Sequence, residues 1–248
     1  YINNPQLLPE KSIGINLGAR FQASKKLCLN ANFFRNDIKN LIEYYQLDNV
    51  QKSNGSGIYS YKNINKVFTT GFDVNIQYSF NRAFSVSTGY QYLIAKDKDI
   101  IEKIKNKEIY KRDPATYESS TVGLSDYGGL FNRSKHTANF QVFYHNERWQ
   151  LDISTRATYK GRFGFIGKKD HTGNVFNDGN NILDDDRKYA EGYFNLNTSI
   201  AKKINKILEV QVGADNILNY INRETLPNLF GRAYFINLNI RLNQSSKK

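Results

Sequence analysis

Apolar and polar residues alternate with a period of two along most of the chain. In the segment 234–242, every second residue from Tyr234 to Leu242 is apolar, and the positions between them are mostly polar. Strict alternation predicts a β-strand with one apolar and one polar face. The pattern recurs, in places more loosely, and predicts an all-β, antiparallel fold of about nine strands: 13–21, 27–33, 72–80, 84–94, 138–144, 149–157, 194–200, 208–215 and 234–242.

The connections between these segments alternate between short and long. Short connections lie near 23–25, 81–82, 146–148 and 205–206, and long ones span about 46–62, 97–133, 161–188 and 218–230. Tight turns on one rim and long loops on the other are typical of outer-membrane barrels, whereas a soluble sandwich has no reason to sort its loops by length. Aromatic residues also gather near strand ends, as girdles do. We therefore predict a transmembrane β-barrel, with a soluble β-rich binding module as the alternative.

Charge and hydropathy taken alone would favour a soluble basic protein. The formal net charge is +12, the mean hydropathy is −0.61, and no run of about 18 apolar residues predicts a transmembrane helix. The positive charge favours contact with lipopolysaccharide phosphates or with an anionic ligand. Nucleic acid is disfavoured as a partner, because the aromatic residues lie at strand ends rather than among the basic residues.

The chain is expected to be one piece of a longer protein. It contains no Met, and residues 1–5 show neither the basic nor the apolar region of a secretory signal. Nine strands is an odd number, while bacterial single-chain barrels close with an even number. We therefore expect residues 1–248 to form one unit, a part of a barrel wall that further strands complete.

Signatures of catalysis are not found in the sequence. There is no nucleophile elbow, phosphate-binding loop, dinucleotide fingerprint or His/Cys metal spacing. The single cysteine, Cys28, excludes an internal disulfide framework, and its place in an alternating segment favours an inert wall residue. We predict that the chain is not an enzyme.

One loop has the residue types of a calcium site. Residues 174–186 place carboxylate and amide oxygens around a glycine, as calcium loops do. The candidate ligands are Asp178, Asn180, Asp184 and Asp185. The register is poor for a calcium loop, so an acidic surface turn that binds no metal is the alternative.

Basic residues and one histidine in the long loops are candidates for ligand binding. His171 could ligate haem iron or contact a siderophore, and it could equally be an ordinary loop residue. Lys103 and Lys105 belong to a run of lysines interleaved with acids at 96–112. Such a run either binds lipopolysaccharide phosphates or an anionic ligand, or forms a solvated loop face.

Six stretches of the chain, in the same order, resemble the C-terminal half of TonB-dependent outer-membrane receptors. They are Asn-Pro-Gln-Leu-Leu-Pro-Glu at 4–10, Phe-Arg-Asn-Asp-Ile-Lys-Asn-Leu-Ile at 34–42, Gly-Phe-Asp-Val at 71–74, Asn-Arg-Ser-Lys-His at 132–136, Val-Gly-Ala-Asp-Asn-Ile-Leu-Asn at 212–219 and Gly-Arg-Ala-Tyr at 231–234. Three departures stand out: Asp73 replaces a glutamate, Ser134 replaces a proline, and a polar tail after Leu242 replaces the terminal aromatic residue.

The resemblance implies the role of the whole protein. It implies that these nine strands belong to a barrel of 22, which holds a plug domain in its lumen. The plug and the TonB-box would lie in the missing N-terminal part, through which TonB binds. The implied protein crosses the outer membrane of a Gram-negative bacterium many times and actively takes up iron-siderophore, haem or cobalamin. Lipopolysaccharide and a surface lipoprotein are further expected partners. A passive porin or structural barrel is the alternative.

Overall fold

The computed structural model describes residues 2–51, 57–113, 115–167, 176 and 178–241. Nine strands form one antiparallel sheet in which each strand pairs with the next long strand along the chain: β1 (Lys11–Gln22), β2 (Leu27–Gln51), β3 (Gly57–Ser79), β4 (Phe84–Asp97), β7 (His136–Asn146), β8 (Leu151–Lys160), β11 (Tyr193–Lys203), β12 (Leu208–Asp215) and β13 (Ala233–Ile240). The long connections hold a helix, α1 (Lys98–Lys105), and four short strands: β5 (Tyr110–Arg112), β6 (Ser119–Thr121), β9 (Phe163–Gly164) and β10 (Tyr189–Ala190). Strands β1 and β13 are the two edges, so the described residues do not close the sheet into a barrel.

The nine predicted strands are confirmed, with different ends. The segment predicted at 149–157 begins at Leu151, because Trp149 lies in the preceding turn and donates its backbone N–H to the Asn146 side chain (3.0 Å). The last strand, β13, ends at Ile240 in the described structure. Its predicted end, Leu242, lies outside the described residues.

The prediction of a long connection at 46–62 is wrong. Strands β2 and β3 continue to pair as far as Gln51 and Gly57, so most of this segment is a β-hairpin. Asn40, with a φ of 57°, interrupts the regular extended backbone of β2. Beyond it the neighbouring residues Tyr61 and Lys62 are both exposed. Without regular alternation between an apolar and a polar residue, this part of the sequence carries no signal for a strand.

The sequence pattern also missed α1. Asp97 caps its N-terminus, because the carboxylate accepts hydrogen bonds from the backbone N–H groups of Asp99 (2.8 Å) and Ile100 (3.4 Å). Eight residues give too short a stretch for a helical period to stand out between strands. Within the described part of the chain, no helix has the length and apolar character to cross a membrane.

The sheet has one face of large apolar side chains. Strand register places one residue from each of five neighbouring strands in a single row: Leu17, Phe33, Phe72, Tyr92 and His136. Most of this face is not covered by other parts of the chain: Leu17, Phe33 and Phe72 are 74%, 54% and 41% exposed. Ile13 and Ile236, on the same face, are 78% and 72% exposed. An uncovered apolar sheet face of this extent requires an apolar environment, and a soluble sandwich would bury it.

The opposite face is lined by amides, hydroxyls and a few charges. Cross-strand hydrogen bonds join Asn32 to Asp73 (3.1 Å), Gln211 to Ser199 (3.1 Å) and Asn237 to Gln211 (3.3 Å). The polar face therefore satisfies part of its own hydrogen-bonding capacity within the wall, as the lumen side of a barrel does.

Side-chain oxygens stabilise the short turns. Asn81 accepts hydrogen bonds from the backbone of Ala83 and Phe84 at 2.8 Å each, and Asn205 makes the equivalent contacts with Ile207 and Leu208. Asn favours such turns because its side chain mimics a backbone carbonyl. The predicted short connections are thus tight turns on one rim, opposite the rim that carries α1 and the long loops.

Candidate functional site

Parts of two long loops pack together on the long-loop rim, and we call residues 98–133 and 178–190 the outer-loop module. Its apolar core consists of Ile104 from α1, Val122, Tyr127 and Ile182, all of which are buried. Backbone bonds also join the two loops: the Arg112 N–H donates to the Asp178 carbonyl (2.8 Å), and the Gly128 N–H donates to the Leu183 carbonyl (2.6 Å). Because apolar burial and hydrogen bonds both connect the loops, they form one packed unit.

A buried lysine lies at the centre of the second loop. The Lys188 Nζ is 2.7 Å from Asp178 Oδ1 and 2.7 Å from Asp184 Oδ1. It also donates to Asn180 Oδ1 (2.8 Å) and to the Ile182 carbonyl (2.7 Å). The side chains of Lys188, Asp178 and Asp184 are only 8%, 2% and 0% exposed. A buried ammonium is tolerated only with such partners, so the four oxygens and the lysine depend on one another.

Three of the four predicted calcium ligands surround this ammonium. Asp178, Asn180 and Asp184 converge on Lys188, while Asp185 turns away and pairs with Arg187 (2.8 Å). Lys188 lies two residues beyond the predicted loop, and the spacing of oxygen ligands carries no signal for a cation. Among the described residues, no three His, Cys, Asp or Glu side chains are grouped to hold a metal ion. Calcium binding stays a prediction, and calcium would have to compete with the ammonium.

Electrostatics around the module follow from these contacts. The hydrogen bond from Arg187 is the main reason that the pKa of Asp185 is lowered from its usual value. Burial raises the pKa of Tyr127 to about 12, and its hydroxyl accepts a hydrogen bond from the Asp97 backbone N–H (3.1 Å). Both groups therefore keep their ordinary ionisation state at neutral pH, with Asp185 charged and Tyr127 neutral.

Cations of the long-loop rim lie over aromatic rings. The guanidinium of Arg112 is 4.9 Å from the Tyr117 ring centroid, and that of Arg162 is 4.4 Å from the Tyr189 centroid. Arg187 lies 4.2 Å from the Phe176 centroid. Cation–aromatic contacts fix the position of a charge while leaving its outer side open to solvent. The rim therefore presents oriented positive charge.

The predicted ligand-binding residues do not meet at one point in the described structure. Lys103 and Lys105 are exposed in the last turn of α1, where a positive charge is favoured by the helix dipole. They flank the buried Ile104 and face away from the module core. His171 lies outside the described residues. The ligand-binding prediction for these three residues therefore stays untested.

The architecture defines a class of protein. An antiparallel meander with one exposed apolar face, one polar face, tight turns on one rim and packed loops on the other is the wall of a membrane β-barrel. Residues 1–217 match the family model described as TonB dependent receptor-like, beta-barrel. The chain belongs to this family, whose members are outer-membrane receptors of Gram-negative bacteria.

Individual relatives support the same fold. The Heme/hemopexin utilization protein C of Haemophilus influenzae (strain 86-028NP) is 32% identical over 117 residues, which cover 43% of this chain and 16% of the relative. The ferric-catecholate import receptor Fiu from K12 E. coli superposes with a TM-score of 0.55 at 18% identity, covering 96% of this chain and 28% of that one. The copper transporter OprC gives a TM-score of 0.61 at 12% identity, covering 95% and 32%. The chain thus spans less than a third of the length of these relatives.

Proposed function

We propose that the chain is the C-terminal part of a TonB-dependent receptor that actively imports a scarce nutrient across the outer membrane of a Gram-negative bacterium. The observation that carries this proposal is the family match over residues 1–217 together with a nine-stranded sheet whose edges are open. In this proposal, the remaining strands and a plug in the lumen come from the rest of the protein. The chain supplies barrel wall and outer loops, TonB supplies energy through the plug, and the outer leaflet supplies lipopolysaccharide contacts.

The cargo we propose is an iron-siderophore, haem or cobalamin. Two relatives support an iron-containing cargo by what their names say of them: one uses haem or hemopexin and one imports ferric catecholates. The outer-loop module supports a ligand with negative charge, because Lys103, Lys105 and Arg112 present exposed cations around it. We propose these three, with His171, as contacts for the ligand or for a surface lipoprotein that delivers it.

Growth on single nutrients tests the proposal. The gene for the full-length receptor is deleted, and the strain is grown on single iron-siderophore, haem or cobalamin sources with and without a plasmid copy. We expect growth on one of these sources to require the plasmid copy. Uptake of that source should also require the proton-motive force. Uptake that persists when the proton-motive force is abolished would support a passive porin instead.

A pair of lysine variants tests the role of the outer-loop module. Lys103→Ala with Lys105→Ala removes two exposed cations near the proposed ligand, and Lys25→Ala with Lys206→Ala removes two from the short-turn rim. We expect the first variant to raise the nutrient concentration needed for half-maximal growth about tenfold, which corresponds to 1.4 kcal/mol of binding. The second should grow like the wild type. Equal growth of both variants would show that Lys103 and Lys105 do not contribute to nutrient binding.

A further inference from the structure

Three lysines lie side by side on the apolar face of the sheet. Strand register pairs Lys11 of β1 with Lys39 of β2, and Lys39 with Lys66 of β3. All three side chains are exposed. Lys98, the first residue of α1, extends the row beyond Lys66. Asp97 pairs with Val67, and Lys98 and Lys66 are the next residues towards the long-loop rim. Like charges directly opposite one another across strands destabilise a sheet, so this row is unfavourable unless an anion lies beside it.

The row belongs to a boundary that runs across four strands. On each of β1 to β4, the first charged residue after the outward apolar side chains, going towards the long-loop rim, is a cation. These residues are Lys11 after Ile13, Arg35 after Phe33, Lys66 after Phe68 and Lys96 after Ile94, each placed on the same face by the register. We call Lys11, Arg35, Lys39, Lys66, Lys96 and Lys98 the cationic belt.

Few carboxylates neutralise the cationic belt. Asp37 pairs with Arg35 (3.1 Å) and Lys98 (2.6 Å), and Asp99 pairs with Lys66 (3.4 Å). No carboxylate of the described residues lies within 4 Å of the ammonium of Lys11 or Lys39. Six cations and two carboxylates leave an excess of four positive charges immediately beside an exposed apolar surface. The belt therefore fits an amphiphile with several negative charges on its headgroup.

We propose that the cationic belt binds the phosphate groups of the phosphorylated glycolipid of the outer leaflet. Acyl chains of such a lipid cover the apolar side chains of β1 to β4, such as Ile13 and Ile15, which are 78% and 69% exposed. Its phosphates then lie against the lysine row and relieve the repulsion between Lys11, Lys39 and Lys66. The lipid is placed on the outward face of these strands, away from the lumen. This inference rests on the proposed membrane orientation, in which the long-loop rim faces outwards.

Lipid binding to the full-length receptor tests the belt without any nutrient or TonB. Native mass spectrometry of the detergent-solubilised receptor counts bound lipid A during titration with lipid A that carries both phosphates or with the same lipid stripped of them. The test variant is Lys11→Gln with Lys39→Gln and Lys66→Gln. The control removes three exposed cations from the opposite rim: Lys25→Gln, Arg148→Gln and Lys206→Gln. Heat-modifiable migration on gels verifies that each barrel is folded.

We expect the test variant to lose affinity for phosphorylated lipid A by about tenfold or more, since each cation near an anionic lipid surface strengthens binding about fivefold. The control variant and the binding of phosphate-free lipid should change little. Equal binding by the test variant and the control, or equal binding of both lipids by the wild type, overturns the proposal. If the test variant does not fold, the single change Lys39→Gln is measured by the same criteria. A receptor that binds lipid in this way but imports no nutrient would contradict only the proposed function.

Discussion

At the scale of single residues, the outer-loop module depends on the buried ammonium of Lys188. The sequence indicated that Asp178, Asn180 and Asp184 belong together, since acidic and amide residues were spaced around a glycine. It could not indicate the cation, because a lysine in a polar loop is exposed in most proteins and its burial depends on how the chain returns towards β10. Which oxygens point inwards is a property of the folded loop rather than of the spacing.

Removing the ammonium should loosen the second loop. Lys188→Met keeps the length of the side chain and leaves Asp178 and Asp184 buried without a counter-charge. Breaking a buried pair in this way costs about 3–5 kcal/mol. We expect faster hydrogen exchange of the backbone amides between 178 and 190 in the full-length receptor, with little change in the barrel strands. Lys105→Met, on an exposed position, is the control, and equal exchange in both variants would show that the ammonium is not needed.

The same variant tests the calcium prediction. Calcium and the Lys188 ammonium would use the same three side chains, so calcium should bind Lys188→Met more tightly than the wild type. We expect calcium, compared with a chelator, to slow amide exchange at 178–190 more strongly in Lys188→Met. Adding Asp178→Ala should abolish this response. If calcium and chelator give the same exchange in every variant, the loop is an acidic turn that binds no metal.

At the scale of secondary-structure elements, alternation identified the strands where one face is apolar and the other polar. It succeeded for β1 and β13 because every second side chain there is apolar and exposed. It failed for the upper parts of β2 and β3, where the neighbouring residues Tyr61 and Lys62 are both exposed. It also failed for α1, whose apolar residues Ile100, Ile101 and Ile104 pack in the core of the module. The pattern reports an environment, and it carries no signal where both faces share the same one.

Substitutions on the two faces of β13 should differ in their effect. Leu238 is 63% exposed on the apolar face, while Asn239 points to the polar face and donates to Glu209 (3.4 Å). Leu238→Arg should reduce the free energy of unfolding by about 2–4 kcal/mol if the position lies near the middle of the bilayer. Asn239→Lys should change it little, because the new ammonium lies beside Glu209. Denaturant titration of the full-length receptor in lipid measures both, and equal losses would contradict the barrel assignment.

At the scale of the whole molecule, the described sheet has unpaired edges at β1 and β13. Unpaired backbone groups in lipid cost several kcal/mol each, roughly, so a wall with two open edges requires further strands. The number of further strands and the cargo could not be derived from these residues. The sequence of a strand reports the environment of its two faces, and it depends on neither the total number of strands nor the cargo. The resemblance to a larger family supplied the expectation of 22 strands.

Insertion of the isolated chain tests whether it needs these partners. We expect the 248 residues refolded alone to form no closed pore in planar bilayers, whereas refolding together with the remainder of the receptor should restore heat-modifiable migration on gels. The matched control is the intact receptor refolded under the same conditions. A stable, closed pore formed by the 248 residues alone would show that a small porin is the correct interpretation.

The β2–β3 hairpin extends beyond the end of β4 on the long-loop rim. Beyond the lysine row, β2 continues from Lys39 to Gln51, about 40 Å along the strand at roughly 3.3 Å per residue. In the proposed orientation, with the long-loop rim outwards, we expect a bacteriophage or antibody to meet this hairpin before it meets the part of the wall below the lysine row. An epitope tag inserted between β2 and β3 should be stained by antibody on intact cells, whereas the same tag inserted in the Asn81–Ala83 turn should be stained only after permeabilisation.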